Sequence, residues 1–236
     1  MMLRSFLWVS VVCCLLACES DTTEPSFTRL GLSYFPVEVG SFREYVVQDI
    51  SYSLLNEPDT QRYLLREVIT DSFPGQGNEL VYRLERFSRF LPDQSWKLDS
   101  VWTARVNTQR AVVVENNTPF VKLVFPFTSE LVWDGNALNA KSADRYELQT
   151  TSEALSKEIE STIDTLLHQS ITVVQSNVSS LVSDSIFSET YVNNVGLFYK
   201  KSVNLEYCAE EDCLGQFIID FGRDYRQTLT AYGKID

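Results

Sequence analysis

Apolar and polar residues alternate along most of the chain from residue 35 onward, which predicts extended strands. The segment 197–207 carries an apolar stripe that is broken only by Lys201. The clearest strand is 96–104, where four apolar side chains share one face: Trp96, Leu98, Trp102 and Ala104. Such alternation is typical of antiparallel sheets with one wet face and one buried face.

Short segments with the same pattern recur at regular spacing and are separated by turn-forming pairs such as Asn116-Asn117 and Asn193-Asn194. This arrangement predicts a mainly β fold, an antiparallel meander that forms a sandwich or an open barrel. The further predicted strands lie near 42–54, 61–72, 79–90, 109–115, 119–125, 145–150, 169–176, 185–192, 216–221 and 225–232.

One segment has helical periodicity instead. In 153–167, apolar residues recur three or four positions apart, and Thr150 precedes Glu153 with the spacing of a capping box. We therefore expect one short helix that covers a face of the sheet.

The N-terminus has the composition of a secretory signal. Arg4 precedes an apolar run from Phe6 to Ala17, which is too short to span a bilayer comfortably. The run ends in Leu15-Leu16-Ala17-Cys18, which resembles the lipobox of bacterial lipoproteins. The resemblance implies that residues 1–17 are a signal peptide and that Cys18 is lipidated. The alternatives are an ordinary cleaved signal with an incidental cysteine, or an uncleaved anchor.

The residues after Cys18 are polar and acidic, and they lack apolar periodicity. We interpret 18–33 as a flexible acidic tether and 34–236 as a single β-rich domain. The whole chain has a formal charge of −12, and loss of Arg4 with the signal makes it −13. Because this charge repels phosphates, we expect no nucleic acid partner, and we expect membrane contact through the N-terminal lipid.

Two cysteines remain once Cys18 is lipidated, namely Cys208 and Cys213. An exported protein folds in an oxidising compartment, so this close pair predicts a disulfide across a hairpin turn. Zinc binding is the alternative, but it would need further ligands, and the chain's single histidine, His168, is distant in sequence. We therefore expect no metal site.

Three stretches together with the lipobox resemble uncharacterised lipoproteins of Bacteroidota. They are the segments 34–45, which begins Tyr-Phe-Pro, 120–136, which contains Lys-Leu-Val-Phe-Pro, and 191–199, which contains Val-Gly-Leu-Phe-Tyr. The resemblance implies an envelope location, with the protein anchored by lipid to the outer membrane on its periplasmic or surface face. It implies no activity and no site residue.

Two features of the tether fit the same resemblance. Acidic residues directly behind Cys18 are similar to a surface-export signal, although a plain solvated linker is the alternative. Asp21-Thr22-Thr23 resembles an O-glycosylation motif of Bacteroidota, and Thr22 is the candidate that we favour. The same pattern recurs at Ser100, Thr165 and Ser185.

The sequence contains no recognisable catalytic group. No nucleophile elbow and no phosphate-binding loop are present, so we expect no catalytic residue and no cofactor. A pair of carboxylates across a cleft would permit glycan hydrolysis, and four acids near aromatic strand ends are candidates: Glu44, Asp134, Asp220 and Asp224.

These observations favour a non-catalytic envelope lipoprotein that binds a ligand or a partner. The ligand could be a lipid or a glycan, and the partner an envelope protein. The alternatives are a carboxylate-based glycan hydrolase and a structural subunit of a surface assembly.

Overall fold

In the computed structural model, described for residues 30–128, 130–150 and 170–235, the chain forms one antiparallel sheet of twelve strands. Their bounds are β1 Ser41–Ser53, β2 Asn56–Pro74, β3 Leu80–Arg89, β4 Lys97–Val106, β5 Arg110–Glu115, β6 Thr118–Val124, β7 Val132–Asp134, β8 Arg145–Thr150, β9 Ser170–Ser179, β10 Ser183–Val192, β11 Gly196–Tyr207 and β12 Ile219–Lys234. Short 3-10 turns lie at Leu32–Tyr34 and Gln76–Asn78.

The strand order runs from β6 through β1 to β12 and on to β7, so all neighbours in sequence except β6 and β7 pair with each other. The first and last strands, β1 and β12, pair with each other in the middle of the sheet, and the two edges are β6 and β7. The connections are tight. Asn116 and Asn117 both adopt positive φ between β5 and β6, as a two-residue hairpin turn requires.

The sheet curls until its two edges meet, which produces a nearly closed barrel. The Val121 N–H on β6 donates to the Gly135 carbonyl, just after β7, at 2.9 Å. The Trp133 indole N–H on β7 donates to the Val121 carbonyl, also at 2.9 Å. These bonds satisfy groups that an open edge would leave unpaired. The fold is therefore mainly β, as predicted, and of the two expected forms it is a single barrel-like sheet.

One end of the barrel is closed by apolar side chains, and we call it the closed end. Leu32 and Phe125 are buried there in one cluster with Tyr191. The Tyr34 ring lies 5.4 Å from the Phe127 ring, centroid to centroid. The opposite end holds the connections 53–56, 89–97 and 207–219, and we call it the mouth.

Residues 30–33, which the sequence assigns to the tether, belong to the packed part of the molecule. Leu32 is 8 % exposed and lies in the cluster at the closed end, and the Ser33 carbonyl accepts a bond from the Asn194 N–H. Burial of the apolar Leu32 side chain stabilises the packing of this segment against the barrel, so the packed part of the chain begins before residue 34.

The predicted strands correspond to observed strands with two differences. The predicted segments 216–221 and 225–232 form one strand, β12, which begins at Ile219, because Gly222 adopts a φ of +132° and keeps the ladder continuous. The strand β7 has only three residues and is not among the predicted strands. The predicted helix 153–167 lies outside the described residues.

Candidate functional site

The mouth of the barrel opens into a chamber of about 540 Å³, which we call the outer chamber. Its size is within the range of small-molecule sites, roughly 300–1,000 Å³. The wall is mostly polar, with aromatic rings between the polar groups. Residues of β1, β2, β3, β11 and β12 contribute to it, among them Asp49, Tyr63, Phe90, Ser202, Arg223 and Tyr225.

A smaller inner chamber of about 60 Å³ lies behind the outer one, toward the closed end. Arg86, Trp102 and Lys200 line both chambers and so form the boundary between them. A volume of this size admits a few water-sized groups. The inner chamber can therefore hold the end of a ligand whose body occupies the outer chamber.

A buried ion cluster lies beside the inner chamber. Lys122 Nζ on β6 lies 2.7 Å from Glu115 Oε1 and 2.9 Å from Glu189 Oε1. Lys200 Nζ on β11 lies 3.2 Å from the same Glu189 oxygen, and the Tyr191 hydroxyl donates to Glu189 Oε2 at 2.6 Å. The Glu189 side chain is 3 % exposed. Every member is thus paired, and Lys122 and Glu189 at its centre are nearly inaccessible to bulk water.

The pKa shifts in this cluster follow from burial and pairing. Burial alone would raise the pKa of Glu189, but attraction to Lys122 and Lys200 outweighs it and lowers that pKa well below its usual range. Attraction to the same two lysines also outweighs burial at Glu115 and lowers its pKa. Burial would lower the pKa of Lys122, yet the two carboxylates raise it. Glu115, Glu189 and Lys122 are therefore charged at neutral pH.

A second ion pair borders both chambers. Arg86 Nε donates to Glu67 Oε1 at 3.2 Å, and the guanidinium lies 4.0 Å from the centroid of the Trp102 ring. Burial opposes the charge of Arg86, but attraction to Glu67 outweighs it and raises its pKa. Arg86 is thus held by a carboxylate and by an aromatic face, a combination that fixes a guanidinium in place.

Two hydrogen-bond donors on the chamber walls have no partner within the described residues. They are Gln227 Nε2 on β12 and Trp102 Nε1 on β4, and both atoms are buried. The Gln227 side-chain oxygen accepts a bond from the Tyr225 hydroxyl at 2.8 Å, which fixes the orientation of the amide. An unpaired buried donor costs about 1–3 kcal/mol. A ligand that accepts a hydrogen bond from either group would remove this cost, so the two groups indicate where a ligand would gain most binding free energy.

Aromatic residues and an ion pair shape the outer chamber. The Tyr63 and Phe90 rings lie 5.9 Å apart, centroid to centroid. Arg223 Nε donates to Asp49 Oδ1 at 2.6 Å, and its guanidinium lies 5.4 Å from the Tyr225 centroid. The wall therefore offers ring surfaces beside charges that neutralise one another.

The rim of the mouth is more apolar than the wall behind it. Leu55, at the β1–β2 turn, is 93 % exposed, and Phe90, Leu181 and Phe217 are each more than half exposed on other connections. The β11–β12 connection that carries Phe217 also carries Cys208 and Cys213. The Phe217 ring packs edge-on against the Tyr207 ring, with centroids 5.5 Å apart.

The two cysteines lie at disulfide distance, with Cα atoms 5.9 Å apart. The sequence predicts that they face each other on paired strands, but in the structure they do not. Cys208 directly follows β11, its N–H bonds to the Ile218 carbonyl, and Cys213 lies in a turn within the connection. Tyr207 pairs with Ile219, so a loop longer than a tight hairpin separates the strands. The other predicted site residues, Cys18 and Thr22, lie outside the described residues, and so does the single histidine, His168.

The acids named from the sequence are not those of the chambers. The Glu44 carboxylate pairs with Arg66, and Asp224 pairs with Arg226. Asp134 caps a turn by accepting the N–H groups of Asn136 and Asp144, and neither it nor Asp220 lines a described chamber.

Sequence reasoning missed the buried charges, although one signal was present. Lys122 stands alone in the apolar run Phe120 to Phe125, and Glu189 lies between Phe187 and Tyr191. A charge inside an apolar strand needs a buried partner, so such isolated charges indicate an internal ion pair.

Glu115 and Glu189 meet at Lys122, so the structure does bring two carboxylates together. Glycoside hydrolysis needs one carboxyl group with a raised pKa to act as a proton donor. Here the pKa values of both are lowered. This arrangement suits a fixed binding surface better than proton transfer.

Among the described residues, no three or more histidine, cysteine or acidic side chains are grouped closely enough to hold a metal ion. The same part of the chain contains no helix of the length and apolarity needed to cross a membrane. A scan against models of known protein families finds no match, and a search of curated proteins finds no significant match.

Proposed function

We propose that this protein is a lipid-anchored lipoprotein of the bacterial cell envelope whose barrel binds a small polar ligand without transforming it. The observation that supports binding is the open outer chamber, with an inner chamber and unpaired donors behind it. The lowered pKa values of Glu115 and Glu189 favour binding over hydrolysis. The mostly polar wall favours a polar ligand over an acyl chain.

The anchor is supported by Leu15-Leu16-Ala17-Cys18 and by the position of the N-terminal segment. Leu32 packs at the closed end, so the mouth lies at the end of the barrel opposite the tether. A lipid on Cys18 would therefore leave the mouth accessible from the side away from the membrane.

Membrane fractionation of a bacterial host tests the anchor. We expect the wild-type chain to sediment with membranes and the Cys18→Ser variant to be lost from them, because the serine oxygen cannot take the thioether-linked lipid. Cys14→Ser is the matched control, since Cys14 lies in the same apolar run without a small residue before it. Equal membrane retention of both variants would contradict lipidation at Cys18.

The intact mass of the protein from the native host tests glycosylation at Thr22. We expect an added mass that the Thr22→Ala variant lacks.

Blocking the outer chamber tests the binding function. Ser202→Trp would fill the chamber from β11, whereas Gln48→Trp places the same ring on the opposite face of β1. Ligand-observed NMR with neutral sugars, amino acids, dicarboxylates and palmitate provides the measurement. We expect at least one of the three polar classes to bind the wild type and Gln48→Trp but not Ser202→Trp, and we expect palmitate not to bind. Binding by none of the polar classes, or equal binding to both variants, would refute the proposal.

A further inference from the structure

We infer that the chamber ligand is a neutral, hydroxyl-rich molecule, namely a short saccharide that lies in the outer chamber and directs hydroxyl groups of its terminal unit into the inner chamber. The inference rests on the proposed binding function and specifies the ligand class. It depends on how the charges, the unpaired donors and the rings are arranged around the two chambers.

The cations around the chambers are already neutralised. Arg86 is paired with Glu67, and Arg223 is paired with Asp49. Lys122 and Lys200 share Glu189, and Lys122 also bonds to Glu115. An anionic ligand would have to replace one of these carboxylates and leave it buried without a partner, which is costly. The arrangement therefore selects against ligands with a net charge.

The remaining cation of the inner chamber is also engaged. Arg43 Nε donates to the Val195 carbonyl at 2.8 Å, and its Nη2 donates to the Pro36 carbonyl at 2.9 Å. Its guanidinium thus ties the segment before β1 to the β10–β11 connection. This role leaves Arg43 as part of the chamber floor rather than as an anion receptor.

The groups without partners are neutral donors. Gln227 Nε2 and Trp102 Nε1 each offer an N–H to an oxygen acceptor. The carboxylates of Glu67 and Asp49 keep spare lone pairs that can accept from a hydroxyl group. A hydroxyl group both donates and accepts, so a ligand rich in hydroxyl groups matches a wall that presents both functions.

Ring surfaces complete the match. Arg86 covers one face of Trp102, so this residue contributes its edge N–H, while Tyr63, Phe90 and Tyr225 contribute apolar surface to the outer chamber. A sugar ring has apolar C–H faces and a polar edge, and it can therefore contact rings and polar groups together. An acyl chain would leave the polar wall unpaired.

Calorimetric titration of the full mature chain tests the inference. The lipoprotein is extracted in a detergent without sugar head groups, because a glucoside detergent would itself compete for the chamber. The neutral probes are maltotriose, cellotriose and N-acetylchitotriose, and the comparison probes are trigalacturonate, glutamate and palmitate. We expect a neutral trisaccharide to bind with Kd below about 1 mM and the charged probes to bind at least tenfold more weakly.

Two substitutions assign the binding to the unpaired donors. Trp102→Phe removes the N–H and keeps an aromatic ring, and Gln227→Met removes the amide at similar volume. Loss of one net hydrogen bond predicts about a fivefold weaker affinity for each. Trp96→Phe is the matched control, because Trp96 lies on the outside between Arg66 and Arg89 and should leave the affinity unchanged. Circular dichroism melts verify that every variant is folded.

The outcomes separate the two levels of the proposal. Binding of trigalacturonate or glutamate in place of the trisaccharides, with loss in Ser202→Trp, would overturn the saccharide assignment and leave the binding function standing. Palmitate binding that Ser202→Trp abolishes would overturn both, because the proposed ligand is polar. A trisaccharide that binds Ser202→Trp as well as the wild type would place the sugar elsewhere and overturn the inference. Failure of every probe to bind would overturn both. Unchanged affinity in Trp102→Phe and Gln227→Met would overturn the assigned donors.

Discussion

Lys122 Nζ on β6 lies 2.9 Å from Glu189 Oε1 on β10, although 67 positions separate the two residues in sequence. The strand β6 is one edge of the sheet, and two strands, β9 and β8, lie between β10 and the other edge strand, β7. The bond therefore crosses the interior and forms only when the sheet has curled to bring its edges together. It joins the closure of the barrel to the neutralisation of a buried charge.

Removal of the lysine should test that coupling. Lys122→Met leaves Glu115 and Glu189 buried without their shared cation, so we expect a loss of about 3–5 kcal/mol in the free energy of unfolding. Urea unfolding followed by circular dichroism measures it. Lys97→Met, the same change at an exposed position of β4, should alter stability by less than about 0.5 kcal/mol. A loss no larger than that of the control would contradict the structural role of the cluster.

The same cluster predicts how stability depends on pH. The folded-state pKa values of Glu115 and Glu189 lie below their ordinary value of 4.5, so their ion pairs contribute stability above that pH. This contribution is lost as the pH falls through the lowered pKa values. We expect the stability gap between the wild type and Glu189→Gln to be largest near pH 6 and to narrow below pH 4.5. Urea titrations at pH 6 and pH 3 measure this gap in the free energy of unfolding. An equal gap at the two pH values would contradict the linkage.

Reduction of the Cys208–Cys213 pair should loosen one connection at the mouth. The closed loop is short, so its loop-closure entropy contributes about 2 kcal/mol to stability. We expect Cys208→Ser/Cys213→Ser to lose about this amount, with hydrogen exchange rising mainly in 208–218. The wild type treated with reductant should match the double variant. Uniform exchange changes across all strands would argue against a local role.

Gly222 is predicted to tolerate no side chain. A Cβ there would lie 2.2 Å from the Asn204 carbonyl oxygen, and the φ of +132° is itself unfavourable for other residues. Gly222→Ala should therefore cost more than about 2 kcal/mol, because backbone of β11 must move. Gly77→Ala is the control, since Gly77 also has positive φ but no atom within 4 Å of the added Cβ. Thermal melts in which the two variants match would contradict the steric argument.

The hairpin pattern was largely predictable, because alternation and turn pairs act over a few residues. Asn116-Asn117 marks the β5–β6 turn directly, and both residues have the positive φ that the turn requires. The continuity of β12 was not predictable, since Gly222-Arg223-Asp224 has the composition of a turn. Only the close approach of β11 at Asn204 explains why glycine continues the strand there.

The site was less accessible to sequence reasoning than the strands. Candidate acids were sought near strand ends, whereas Glu67 and Glu189 lie within strands. These two acids and Glu115, the last residue of β5, face the inner chamber. Which polar residue points inward depends on register shifts, such as those between Glu44 and Tyr45 and between Phe187 and Ser188. Each bulge inserts an extra residue and so shifts the alternation of inward and outward side chains. A strict period of two therefore assigns the residues beyond a bulge to the wrong face of the sheet.

The strand-rich, antiparallel character of this protein follows from the sequence alone, because side-chain alternation and turn chemistry are local properties. The interpretation of Cys18 is also local, since it depends on a few adjacent residues. The three-dimensional fold is needed to see that the sheet curls until Val121 bonds to Gly135, and that Lys122 meets Glu189 inside. These contacts join residues that are far apart in the chain, and their geometry follows from register, twist and closure acting together.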